Sequence, residues 1–213
     1  MASEQQAGRG LPTFEITGPQ LEVLGRAEQR LPAPAKRPWA ARVIAVALAL
    51  AAVFGLGGAK LAAYHSSVEA QYTQGVRGDG MGIASDLQAR GNAAANIITL
   101  GEALLGENDP LVLNARAALD ALQAESMPSA QYAANLQLGV AVDALYQQLT
   151  AVAAGQGKGE TLSTQWSEFL SRQSIIEHDG YNEAARRYND TVSGFPAGLI
   201  GALWGVQEVE LFQ

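Results

Sequence analysis

Residues 181–195 read YNEAARRYNDTVSGF, and the pair Tyr-Asn occurs twice in this stretch, seven residues apart. Apolar side chains recur here at alternating intervals of four and three residues, at Tyr181, Ala185, Tyr188, Val192 and Phe195. This spacing places them along one face of an α-helix. Asn182 and Asn189 lie one position round the helix, where an amide can bond a neighbouring helix or a loop backbone. The pattern favours a packed face, and a groove that holds a ligand is the alternative.

The same helical spacing recurs through residues 65–213 and predicts an all-α fold. The clearest run comprises Leu138, Val142, Leu145, Leu149 and Val152, and a second run begins with Leu162, Trp166 and Phe169. Asp109 before Pro110 is typical of a helix start, and a helix should end before Pro196. Gly180 is expected to bend the chain without fully breaking the helix. Short loops between such helices predict an antiparallel bundle.

Residues 43–59, VIAVALALAAVFGLGGA, contain no charged side chain. With their flanks they are long enough to cross a bilayer, which takes about 20 residues. Trp39 and Tyr64 stand where interfacial aromatic residues are common. A cleaved signal peptide or a buried core helix would share this composition, but 38 residues precede Trp39, which is more than a signal peptide usually has. The sequence therefore predicts a transmembrane helix over 39–64.

Charge is distributed unevenly and predicts an orientation. Residues 1–60 carry seven basic and four acidic residues, a net charge of +3, so the remainder carries −10 of the total of −7. Basic residues are concentrated before the apolar segment, which predicts a cytoplasmic N-terminal tail and an extracytoplasmic C-terminal domain in the cell membrane. An acidic domain also argues against nucleic-acid binding.

Residues 1–38 contain five prolines and no sustained period, which predicts a disordered tail. The predicted organisation is thus a tail at 1–38, a transmembrane helix at 39–64 and a helical bundle domain at 65–213. Small residues recur within the apolar segment at Ala47, Ala51, Gly55 and Ala59. Such a stripe is weak evidence for self-association in the membrane.

The C-terminal segment resembles the LemA family. The resemblance lies in two Tyr-Asn pairs, a Phe-Pro pair, an apolar pair, a glycine and a last aromatic residue: Tyr181-Asn182, Tyr188-Asn189, Phe195-Pro196, Leu199-Ile200, Gly205 and Phe212. Upstream the likeness is looser, with only Arg90 and Asn96 to suggest a basic and Asn-containing family patch. Residues 177–180 depart from the family pattern. The resemblance implies a helical bundle on a single membrane helix and attaches no catalytic residues to it.

Groups with obvious catalytic or metal-binding chemistry are sparse in the sequence. There are no cysteines and two histidines, and His178 between Glu177 and Asp179 does not form a ligand cluster because consecutive helical residues point in different directions. No phosphate-binding or nucleophile motif is present. The sequence therefore predicts a non-catalytic protein with no cofactor and no metal.

Residues 198–212, GLIGALWGVQEVELF, form an apolar segment with two possible roles. Packed, the segment closes the bundle; exposed, it is a docking or membrane-contact site, with Trp204 and Phe212 as the anchors. The predicted function is a membrane-anchored scaffold or adaptor that binds other membrane or envelope proteins. A module that holds a small ligand or peptide beside the Tyr-Asn face is the alternative, and an enzyme with an unrecognised site is the third.

Overall fold

A computed structural model describes residues 38–213, and every regular element in that range is helical. The helices are α1 Pro38–Gln74, α2 Ile83–Leu105, α3 Pro110–Ala124, α4 Pro128–Gly155, α5 Gly159–Glu177, α6 Tyr181–Ser193 and α7 Ala197–Trp204. The predicted disordered tail lies outside the described residues except for Pro38, which begins α1.

Helix α1 has 37 residues and is long and apolar enough to cross a membrane. It contains the whole predicted span of 39–64 and continues to Gln74. The helix ends there because Gly75 adopts a left-handed backbone conformation, with φ of 76°. Residues 54–213 form one compact unit, to which the last turns of α1 belong, while residues 38–53 fall in a separate unit.

The core of residues 54–213 is built mainly where α2 packs on α5 and α3 packs on α4. The longest run of core residues lies on α4, where Leu138, Val142, Leu145 and Leu149 are each 0% exposed, as their heptad spacing predicts. Val152, the last member of the predicted run, is only partly buried. Helix α1 contributes Leu61, Val68 and Tyr72 to the same core.

Two predicted helix boundaries are confirmed and one is wrong. Asp109 caps α3, because its carboxylate accepts hydrogen bonds from the backbone N–H groups of Leu111 and Val112. Helix α6 ends before Pro196, as expected. Gly180, however, lies in a complete break between α5 and α6. The break is stabilised because the Asp179 carboxylate accepts the backbone N–H of Tyr181, at 2.7 Å, and starts a new helix.

A buried arginine joins three helices. Arg90 of α2 donates to the main-chain carbonyl of Phe169 on α5 at 3.3 Å and to that of Asn135 on α4 at 3.1 Å. It also bonds the Asn135 side-chain oxygen, and its guanidinium lies 3.9 Å from the centre of the Phe169 ring. Burial lowers the pKa of Arg90 to about 10, which leaves it charged at neutral pH. The charge is therefore stabilised by dipoles and an aromatic face.

Candidate functional site: the Tyr-Asn helix and the C-terminal tail

The two asparagines of α6 hold the C-terminal tail, residues 206–213, by its backbone. Asn182 donates to the carbonyl of Phe212 at 2.7 Å and accepts the N–H of the same residue at 2.8 Å. Asn189 makes the same pair of bonds with Val209, at 2.9 and 2.8 Å. Each side-chain amide thus replaces the partner that a β-strand would give to one tail residue. The contacts do not depend on which side chains the tail carries.

The two tyrosines complete this arrangement. Tyr181 donates its hydroxyl to the carbonyl of Glu210 at 2.6 Å, and Tyr188 donates to that of Gln207 at 3.0 Å. Tyr181 is 1% and Tyr188 0% exposed, so each ring is buried while its hydroxyl is satisfied by main chain. The four side chains of the Tyr-Asn pairs therefore bind six backbone groups of the tail, which belong to Gln207, Val209, Glu210 and Phe212.

The seven-residue repeat of α6 matches a three-residue repeat of the tail. Seven residues of α-helix rise about 10.5 Å, and three residues of extended chain span about 10 Å. Asn182 and Asn189 consequently meet Phe212 and Val209, which are three residues apart. The order of these contacts means that the tail runs in the opposite direction to α6. The seven-residue repeat of α6 therefore has the spacing needed to bind every third residue of an extended segment that lies along the helix.

The tail also buries two side chains. Val209 is 5% and Phe212 4% exposed, and the Phe212 ring lies 5.3 Å from that of Tyr132 and 6.1 Å from that of Tyr72. Of the two residues predicted as partner anchors, Phe212 is thus committed to the interior of its own chain. Glu210 binds Ser129 at the start of α4. The tail therefore connects α6 to α1 and α4.

The buried face of α6 packs against the C-terminal turns of α1. Tyr181 lies 5.2 Å from Tyr72 between ring centres, and Tyr188 lies 5.1 Å from Tyr64. The predicted face is accordingly buried over Tyr181, Ala185, Tyr188 and Val192. Phe195 departs from the prediction and is 92% exposed, because α6 ends at Ser193 and the chain turns at Gly194.

Burial raises the pKa of the tyrosine hydroxyls at this site. The pKa of Tyr181 rises to about 12, first because of burial and then because of the nearby Glu210 carboxylate. Burial likewise raises the pKa of Tyr72 and Tyr188. Folded protein therefore retains these protons at alkaline pH where an ordinary tyrosine, with a pKa of 10.0, has lost them.

Alkaline pH is expected to destabilise the protein. Between pH 10 and 12 the unfolded chain binds fewer protons than the folded one. The contribution of these tyrosines to the free energy of unfolding is therefore present in full below pH 10 and is lost as pH rises through 12. Denaturant unfolding at a series of pH values measures this slope, and tyrosinate absorbance shows when the hydroxyls ionise. Ionisation of all six tyrosines before unfolding begins would contradict the structure.

Helix α7 joins α6 to the tail and packs on α1. The Trp204 indole donates to the main-chain carbonyl of Phe54 at 2.9 Å, and its ring lies directly over Gly58. Ile200 and Gly201 face α1 and are buried. Gly205, which follows the last residue of α7, has a φ of 67°, and this conformation lets the chain turn back toward α6 as the tail. Pro196 precedes the first residue of α7.

Replacing Gly58 with alanine is expected to displace Trp204. A Cβ atom at this position would overlap the indole ring, so the ring must move and give up its bond to Phe54. We expect a loss of about 1–3 kcal/mol of stability and faster amide exchange in α7. Gly55→Ala is the matched control, because a Cβ there meets nothing within 4 Å. Equal behaviour of the two variants would contradict this placement of Trp204.

Other polar groups near the end of α1 serve local structure. An open cavity of about 610 Å³ is lined by Val76, Asp79, Ser174, His178 and Asp179 among others. Asp79 and Asp179 cap nearby backbone N–H groups, and His178 Nδ1 lies 2.7 Å from the Ser174 carbonyl. Within residues 38–213, no group of three or more acidic or histidine side chains is arranged to hold a metal ion.

We found no match to this chain among protein-family models, curated proteins or solved structures. The resemblance to the LemA family therefore stays a prediction. Part of the residue set that carries it meets in space, because both Tyr-Asn pairs bind the tail that contains Phe212, and Gly205 makes the turn into that tail.

Sequence reasoning did not identify the tail as the partner of the asparagines. One signal for it was present, namely that Val209 and Phe212 are apolar residues spaced three apart. This spacing in an extended chain has nearly the length of the seven-residue Tyr-Asn repeat in a helix.

Proposed function

We propose that this protein is a single-pass, membrane-anchored helical-bundle protein of the LemA type. It acts as a non-catalytic scaffold or adaptor at the cell envelope, with an antiparallel bundle outside the cytoplasm. The observation that carries the proposal is the continuity of α1. One helix contains the uncharged run of 43–59 and also supplies Val68 and Tyr72 to the core of the bundle. A helix of this kind ties an interaction domain to a bilayer.

An exposed apolar groove between α3 and α4 supports the adaptor role. The groove encloses about 510 Å³ and is lined largely by small and apolar side chains, including Ala117, Ala121, Leu136 and Val140. Leu136 is 48% and Val140 73% exposed. A groove with this lining suits an amphipathic helix of an envelope protein, which would lay its apolar side between the two helices.

The alternative function, a module that binds a ligand beside the Tyr-Asn face, is less well supported. That space is taken by residues 206–213 of the chain itself, and all four Tyr and Asn side chains are bonded to them. An external peptide would have to displace the tail and expose Val209 and Phe212 to water.

Membrane extraction tests the anchor. We expect the full chain to stay with membranes through an alkaline wash and a variant without residues 39–53, which lie outside the compact unit of residues 54–213, to be released by it. Release of the full chain by the wash would refute the anchor. A reporter fused after Gln213 tests orientation, and activity of that reporter only in the cytoplasm would refute the proposed topology.

Photo-crosslinking in intact membranes tests the adaptor role. A photoreactive residue at Val140 should give a discrete protein adduct that Leu136→Lys abolishes. The matched control is Ile175 on α5, which is 45% exposed and lies outside the groove. Equal labelling from both positions, or none from Val140, would contradict a docking role for the groove.

A further inference from the structure

The segment between α6 and the tail, residues 194–205, contains α7 and presents an apolar surface that the chain does not cover. No charged residue occurs between Asp190 and Glu208. Ile200 and Gly201 of α7 face α1, and the large side chains on the other side of the segment are exposed. Phe195 is 92% exposed, and the values for Leu199 and Leu203 are 54% and 68%. Trp204, which packs over Gly58 of α1, is still 47% exposed.

This surface lies level with the end of the apolar run of α1. Trp204 bonds Phe54, Ile200 contacts the position of Gly57, and Gly201 lies beside Leu61. The first charged residue after the apolar run is Lys60. Phe54 precedes Lys60 by six residues, which corresponds to about 9 Å along the helix. Helix α7 therefore sits beside the last turns of α1 that a bilayer would surround.

We infer that α7 and the turn before it enter the bilayer as a second membrane contact. The inference rests on the proposed membrane anchor. The acyl chains at the C-terminal end of the span, just below the level of Lys60, would cover Phe195, Leu199 and Leu203. Interfacial helices reach about 5–10 Å into this region, which matches the position of α7 along α1.

Several polar groups of the segment are already bonded within the chain. The Trp204 indole N–H is bonded to Phe54, and at the two ends of α7 the backbone N–H groups of Gly198 and Val206 are bonded to Gly194 and Gly201. Main-chain groups must be satisfied internally when they enter lipid. The charged residues that flank the segment are Asp190 and Glu208. Asp190 lies two residues after Tyr188, whose ring packs on Tyr64, and Glu208 follows Gln207, whose carbonyl accepts the Tyr188 hydroxyl. The uncharged surface therefore stops where the water interface should begin.

Lipid explains this surface better than a partner protein does. The exposed side chains continue the apolar, charge-free surface of α1 at the same level, and the segment offers no charged group to select a protein partner. The bundle would consequently rest on the membrane at two points, α1 and α7, and face it with one defined side.

Spin labels at single cysteines test this contact. The chain has no native cysteine, so Leu199→Cys and Leu203→Cys each accept one nitroxide. Leu50→Cys, in the apolar run, is the reference for the anchor. Ile175→Cys is the aqueous control, because Ile175 lies with Val76 beyond the end of α1. The full chain is reconstituted in phosphatidylcholine vesicles, and each label's collision rates with molecular oxygen and with a water-soluble nickel chelate are compared.

We expect the ratio of oxygen to nickel collisions at Leu199 and Leu203 to equal that at Leu50 and to exceed that at Ile175 several-fold. Labels at 199 and 203 that behave like Ile175, while Leu50 behaves as lipid-exposed, would overturn this inference and leave the anchor standing. An aqueous Leu50 would overturn both. Labels at 199 and 203 shielded from both reagents would show that protein covers the surface, and this too would overturn the inference.

Discussion

Replacing both Asn182 and Asn189 with alanine is expected to release the C-terminal tail. Each substitution removes two hydrogen bonds and leaves the N–H and carbonyl of a buried tail residue without partners. An unsatisfied buried group costs about 1–3 kcal/mol, so one such penalty for each asparagine lowers the free energy of unfolding by about 2–6 kcal/mol. Hydrogen exchange at the amides of Val209 and Phe212 measures the release directly.

The control for this prediction is Asn114→Ala on the exposed side of α3, which should change stability by no more than about 0.5 kcal/mol. Asn189→Asp sharpens the test. Aspartate has nearly the same shape and still accepts the N–H of Val209, but it cannot donate to the carbonyl. Slow exchange at Val209 in all these variants would mean that apolar packing alone holds the tail.

Replacing Arg90 with methionine is expected to have an effect of similar size. The substitution keeps a long side chain but leaves two main-chain carbonyls and the Asn135 amide oxygen without their donor. A buried acceptor left without its donor costs about 1–3 kcal/mol, and three acceptors lose theirs here. Because the three acceptors belong to α4 and α5, the contact between these helices and α2 should weaken. Chemical denaturation of the bundle measures the loss.

Arg116→Met is the matched control, since Arg116 is an exposed arginine that pairs with Glu102. An exposed pair contributes about 0–1 kcal/mol. Arg90→Lys should recover only part of the stability, because an ammonium group lacks the planar fork that reaches Phe169 and Asn135 together. A full recovery by lysine would indicate that charge alone matters at this position.

The helical faces could be read from the sequence, because a packed face repeats locally. Four consecutive members of the α4 run are fully buried, and the tyrosines of α6 are buried as their spacing predicts. Local signals also located the start of α3, where a capping carboxylate precedes a proline. These features depend on residues within a few turns of each other.

The partner of the Tyr-Asn pairs could not be read in the same way. The bonds from Asn182 and Asn189 reach residues 30 and 20 positions ahead, and they form only because α7 reverses the chain. Residues 206–213 have neither a helical nor a long strand-like period of their own. The break at Gly180 was missed for a related reason, and α6 ends at Ser193, two residues before Phe195. A continuing apolar spacing does not reveal a helix end that is caused by a capping carboxylate or a glycine.

The match between seven helical and three extended residues also restricts how this region can change in length. One residue inserted between Asn182 and Asn189 would turn the second amide by about 100° around the helix, so that only one of the two tail residues could be held. The loop at residues 156–158 carries no such relation and should accept insertions. Across variants of this protein, the spacing within α6 and within the tail should therefore be kept more strictly than the identity of the residues between the contacts.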